Sequence, residues 1–160
     1  MQEPERSVDE RLDKFREALS ELYNSVEHWV VERDLLARRE EVQIVEPKPG
    51  KYPVEKLTIT DTDQTVIAEL IPSGAWIIGA DGRVDLNGSV ETEILVYWET
   101  GAPVINSMEQ GKPSTKGKSW RLFKGADRQG WYWIEDRVRS RAHILTKELF
   151  FDLLDEVSSL

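Results

Sequence analysis

The chain of 160 residues contains no cysteine, which removes disulfides, thiol nucleophiles and Cys-ligated zinc from consideration. It has two histidines, His28 and His143, neither with a second histidine at ligand spacing. No stretch approaches the ~18 uncharged apolar residues that a membrane-spanning helix needs, so no membrane partner is expected. The first twenty residues are charged and mixed, without the apolar run behind a basic start that marks a signal peptide. These absences together point to the cytoplasm. Neither Gly nor Pro occurs between Ser7 and Glu46, so nothing local obliges a helix in that region to stop.

The remaining composition is that of a globular protein, with 39% hydrophobic and 32% charged residues. A chain of this length buries about 68–70% of its unfolded surface and is expected to form a single domain over 1–160. The net charge of −9 is unevenly placed. Residues 1–46 and 47–110 each carry −6 and residues 148–160 carry −4, whereas 111–147 carry +7. An acidic whole repels polyanions and disfavours nucleic acid as a partner.

Periodicity divides the chain into a helix, a set of strands and a second helix. Ser7 followed by Glu10 matches a capping box, and Asp9 adds negative charge to the first turn. Apolar side chains then recur at Val8, Leu12, Phe15, Leu19, Leu22, Val26, Trp29 and Leu36, with Arg33 the one interruption. This spacing predicts a long helix over 7–41, whose ~50 Å would exceed the ~40 Å width of a compact domain of this size. Tyr23, Val30 and Ala37 widen the stripe into a core-packing face. The excess length nevertheless suggests a homodimer through residues 8–36. From 42 to 145 the pattern is extended, with turns at Pro47–Gly50, Pro72–Gly74, Asp81–Gly82 and Asn87–Gly88. Ser89–Glu99 is the clearest strand: Ile94, Val96 and Trp98 read as its core face, whereas the other runs from Glu91 and Glu93 to Leu95 and Tyr97. Residues 106–118 lack apolar periodicity and read as a mobile loop. Trp120–Lys124 and Trp131–Glu135 read as a hairpin pair. A C-terminal helix over 146–158, capped by Thr146, closes the chain. The expected class is α+β, with a mainly antiparallel sheet of about six to eight strands.

No motif supplies a catalytic centre. The run from Gly111 to Ser119 resembles a phosphate loop, but five residues rather than four separate Gly111 from Gly117, and a strand rather than a helix follows. A calcium loop through Asp85, Asn87 and Gly88 would need ligands at Arg83 and Ile94. Glu91 and Glu93 share a strand face, yet nothing nearby in sequence raises a pKa as a general acid requires. The reading is therefore not an enzyme, with no catalytic residues, no metal and no cofactor.

The remaining distinctive feature is the basic aromatic block 111–147, where Trp120, Trp131 and Trp133 are interleaved with Arg121, Lys124, Arg137, Arg139 and Arg141. Trp and Arg dominate protein–protein hot spots. These eight residues are the candidate binding set of a small acidic protein that binds another protein with an acidic surface, as an interaction, inhibitor or chaperone-like module. Extended geometry would place Arg137, Arg139 and Arg141 on one strand face, with Glu91, Glu93 and Glu99 as internal neutralisers. The alternatives are a ligand-binding sheet or half-barrel with a Trp-lined pocket, or single-strand nucleic-acid binding through the same block.

Overall fold

The computed structural model describes residues 7–158 except 78, 107, 110–111, 114–118, 122, 124–125, 137–138 and 140, with backbone alone for 105–106, 108–109, 112–113 and 119–121. The chain is α+β, as its periodicity predicts. Helix α1 (Val8–Val30) and a 3-10 turn (Val31–Arg33) precede β1 (Leu36–Glu46), β2 (Gly50–Thr60), β3 (Val66–Gly74), β4 (Gly82–Gly88) and β5 (Thr92–Trp98). Short strands β6 (Val104–Asn106), β7 (Met108–Glu109), β8 (Lys112–Pro113) and β9 (Ser119–Arg121) follow. Then come β10 (Gly130–Asp136), β11 (Arg141–Ile144) and α2 (Lys147–Ser158). The main sheet has seven strands in the order β1-β2-β3-β4-β5-β10-β11, all neighbours antiparallel.

The N-terminal helix starts where the capping residues place it, with Ser7 Oγ accepting from the Glu10 N–H at 3.1 Å. It ends at Val30, eleven residues before the expected Glu41. Asp34 adopts a left-handed conformation (φ 57°), and the Leu35 N–H bonds back to the Val30 carbonyl, which turns the chain out of the helix. Beyond this point the helix-forming run Ala37-Arg38-Arg39-Glu40-Glu41 pairs residue for residue with β2, so cross-strand pairing overrides local propensity. Arg33, the interruption in the apolar stripe, lies in this turn. The 23-residue helix spans about 35 Å and no longer overhangs the domain. Its stripe is buried within the chain, with Phe15 1% and Val26 0% exposed.

Both helices pack on one face of the sheet, and two glycines of central strand β4 mark the closest approaches. A methyl at Gly82 would run into the Phe15 ring of α1, and one at Gly88 into the Val157 backbone of α2. The C-terminal helix matches its expected span, with the Leu149 N–H bonded to Thr146 Oγ1 at 3.1 Å and Phe150, Leu153, Leu154 and Val157 buried.

The sheet has a second, smaller cluster on its other face. Val96, Trp98 and Tyr132 are covered there by Ala102, Phe123 and Ala126. Strand β5 is therefore buried on both sides at its end. The larger core beneath the helices receives Leu95 and Tyr97, the face that begins with Glu91 and Glu93. The face of Ile94, Val96 and Trp98 is thus a core face as its pattern predicts, but of the smaller cluster, while the apolar end of the other face enters the larger one. Residues 106–118 were expected as one loop, but β7 and β8 pair within that stretch, while 107, 110–111 and 114–118 lie outside the described residues. Trp120 and Trp131 do not share a hairpin: β9 pairs with β6, and β10 with β5 and β11.

The β1–β2 hairpin keeps one register along its whole length, but β2 pairs with β3 only from Leu57 to Thr60. The tip half, Gly50–Val54, departs from β3, and the buried positions of β1 change parity between Arg39 and Val42. The Glu46 side chain closes the gap. Buried at 7% exposure, its carboxylate accepts from the Ala75 N–H at 3.1 Å, the Trp76 N–H at 3.0 Å and the Tyr52 hydroxyl. Burial, then the bond to Glu46, pushes the Tyr52 phenol far above its ordinary value. Gly74 lies against this carboxylate because a Cβ there would overlap it.

Candidate interaction surface

Strand β10 sends its tryptophans to the helix side and Tyr132 to the other. Trp131 is buried, tilts against Tyr97 at 5.4 Å between centroids, and donates its indole N–H to the Ala18 carbonyl of α1 at 2.9 Å. It is a core residue rather than a contact residue. Trp133, two positions on, is half-buried. Its indole N–H donates to Glu93 Oε2 at 2.6 Å, and its ring stacks on the cross-strand partner His143, with centroids 5.5 Å apart and planes 28° from parallel.

Beyond this stack the hairpin carries its cations. Arg141 and His143 project from β11, the last strand of the sheet, and face Glu135 Oε2 at 3.9 and 3.4 Å. Arg139 belongs to the turn between β10 and β11, not to a strand. Its backbone N–H donates to Asp136 Oδ1 at 3.1 Å, and its guanidinium lies 3.7 Å from Asp136 Oδ2. The expectation of Arg137, Arg139 and Arg141 in one extended row is therefore corrected, because the chain reverses at this point. The acidic neighbours of Arg139 and Arg141 are Asp136 and Glu135 of the same hairpin. Arg137 and Lys124 lie outside the described residues. Trp120 and Arg121 are placed in β9 by backbone alone.

On the other side of Trp133 the surface becomes acidic. Carboxylate oxygens of Glu91, Glu93 and Glu156 lie within 4.8 Å of one another, where the end of α2 meets the start of β5. The Val157 carbonyl accepts from the N–H groups of Val90 and Glu91, which locks this junction. Partial removal from water, then repulsion from Glu93 and Glu91, pushes the Glu156 carboxyl above its ordinary value. Three carboxylates form a donor set that a hard cation could use. Glu93 is already committed to Trp133, whose indole N–H meets part of the crowding. The strip thus runs from cationic turn through aromatic stack to acidic corner. Glu135 and Asp136 were missed as partners although they stand beside the arginines in sequence. Glu156 carries no sequence signal, because it joins the strip only through the docking of α2.

A cleft of about 520 Å³ opens elsewhere, between the start of α1 and the 99–104 segment, lined by Arg11, Ile77, Asp81, Trp98 and Thr100 among others. Trp98 is 3% exposed and donates its indole N–H to the Gly79 carbonyl at 2.6 Å, so it forms the floor of the cleft rather than a stacking wall. Arg11 is held at the rim by two bonds to the Ala75 carbonyl, at 3.0 and 2.9 Å, with its guanidinium over Trp76. Among the described residues, no helix is long and apolar enough to cross a membrane.

No family model matches the chain, and no solved structure matches it. A stretch of 88 residues, 55% of the chain, is 33% identical to the membrane protein insertase YidC of Prochlorococcus marinus. The match covers 21% of that insertase, so the likeness is partial on both sides.

Proposed function

We propose that this chain is a non-enzymatic protein-binding module of the cytoplasm that meets an acidic partner surface through the β10–β11 end of its sheet. The observation that carries this reading is the exposure of its cations. The Arg139 and Arg141 side chains are 69% and 56% exposed, and their acidic neighbours stand at 3.7 and 3.9 Å. Exposed pairs this loose contribute about 0–1 kcal/mol to a fold, so their charges remain available to another molecule. Beside them the half-buried Trp133–His143 stack offers a flat aromatic surface already held in one orientation, which lowers the ordering cost of an interface. Binding another protein is compatible with the partial likeness to an insertase and does not depend on it.

The test is an affinity capture from extract of the native cell, comparing wild type with an Arg139→Glu/Arg141→Glu variant. The reading expects a partner retained by wild type, eluted as salt rises, and lost from the variant. It also expects that Arg139→Ala/Arg141→Ala changes folding stability by less than ~0.5 kcal/mol. Equal capture by both proteins, or a melting temperature several degrees lower in the alanine variant, would assign these arginines to the fold and overturn the reading.

A further inference from the structure

At the opposite end of the sheet, β1 has β2 on one side and, among the described residues, no strand on the other. Eleven residues of open backbone edge would join almost any extended chain unless something discouraged it, and edge charges are the usual guard. The charges here have a particular order, Arg38-Arg39-Glu40-Glu41, with Leu36, Arg38 and Glu40 all exposed on one face. Leu36 is 57% exposed despite its size.

We infer that the β1 edge is a self-association surface, pairing antiparallel with β1 of a second copy about a two-fold axis at Arg39. A two-fold axis that relates neighbouring antiparallel strands must run perpendicular to the sheet, so the same face of each strand stays on the same side. Residues then pair with others of like parity. Centred on Arg39, Arg38 stands opposite the partner's Glu40 and Glu40 opposite the partner's Arg38, both on the exposed face, whereas Val42, opposite Leu36 in register, is turned to the core. The exposed face gains two symmetric ionic pairs, cross-strand units of the kind that stabilise a sheet. Arg39 meets its own copy at the axis, but its guanidinium is already folded back onto α1. It bonds Glu27 Oε1 at 2.6 Å, Asn24 Oδ1 at 2.6 Å and Ser20 Oγ at 3.2 Å. Moving the axis one residue, to Glu40, would set Glu40 against itself and leave Arg38 opposite Val42. The charges that repel a generic strand therefore select a second copy of this chain. This edge is remote from the β10–β11 strip and does not rest on the reading given for it.

Charge exchange tests the pairing. Sedimentation or light scattering on the full chain across micromolar concentrations should give a monomer–dimer equilibrium. Arg38→Glu alone, or Glu40→Arg alone, places like charges opposite each other twice and should weaken self-association at least about tenfold. Both sites are exposed, and circular dichroism checks that each variant is folded. Mixing the two single variants brings opposite charges together at every ionic rung and should restore the dimer, as should the double variant by itself. A wild-type monomer throughout this range overturns the inference. So does a dimer that neither single variant weakens, or single variants that stay monomeric when mixed.

Discussion

The two ends of the sheet carry ionisable groups in opposite ways. Near the β1–β2 end, Glu46 is buried, and its carboxylate is occupied by two backbone N–H groups and a phenol that other elements bring to it. At the β10–β11 end, Glu135 and Asp136 are paired with arginines of their own hairpin at the surface, through long contacts. The buried acceptor ties the β1–β2 hairpin to Ala75 and Trp76, 29 and 30 residues further on, and removing it strands every donor it served. An exposed pair can be lost while water takes its place. The first arrangement holds the fold, and the second is free to act outside it.

Breaking the buried end should have the largest effect. Glu46→Ala leaves the Tyr52 hydroxyl and the N–H groups of Ala75 and Trp76 without their acceptor, and is expected to cost about 3–5 kcal/mol in urea unfolding. Glu46→Gln keeps one carbonyl acceptor and should fall between the two. A loss below ~1 kcal/mol for the alanine variant would mean that the bent hairpin is held by packing alone.

An intermediate effect is expected where the helices meet β4. Gly88→Ala drives a methyl into the Val157 backbone, which cannot rotate away, and should cost about 1–3 kcal/mol. Gly82→Ala meets the Phe15 ring instead and should cost less, because a side chain can yield. Thermal melts of the two variants rank them directly.

The smallest effect, and the sharpest in sign, belongs to the acidic corner. The Glu156 carboxyl sits above its ordinary value in the folded chain, so the folded state binds more protons than the unfolded one between those two values. Stability from this group is therefore lost as pH rises through that window and stays lost at neutral pH. Glu156→Gln should raise the melting temperature slightly at pH 7, and the gain should vanish as pH falls to the ordinary carboxylate range. A gain that persisted at low pH would point to packing rather than charge.

Much of the secondary structure was legible from local pattern. The Ser7 cap, the α1 stripe from Leu12 to Val26, the Thr146 cap and the α2 face all lie where their residue types and spacing place them. The misreadings share one cause. Ala37-Arg38-Arg39-Glu40-Glu41 suits a helix surface as well as a strand edge, and only pairing with β2 decides between them. The site was legible in part: Arg139 and Arg141 stand exposed at one hairpin, but Trp131, chosen by the same composition argument, is core. Exposure depends on what lies across from a residue, which composition does not contain.

By itself the sequence determined the α+β class, the helix starts, the absence of thiol chemistry and the concentration of positive charge in one segment. Each follows from residue type and short-range spacing. Tertiary structure alone decided that Leu36 begins a strand, that β5 gives Leu95 and Tyr97 to the main core, and that Glu46 is buried with its donors. It also brought Glu156 to Glu91 and Glu93. These outcomes depend on contacts between segments tens of residues apart, where burial and pairing outweigh local preferences of a few tenths of a kcal/mol per residue.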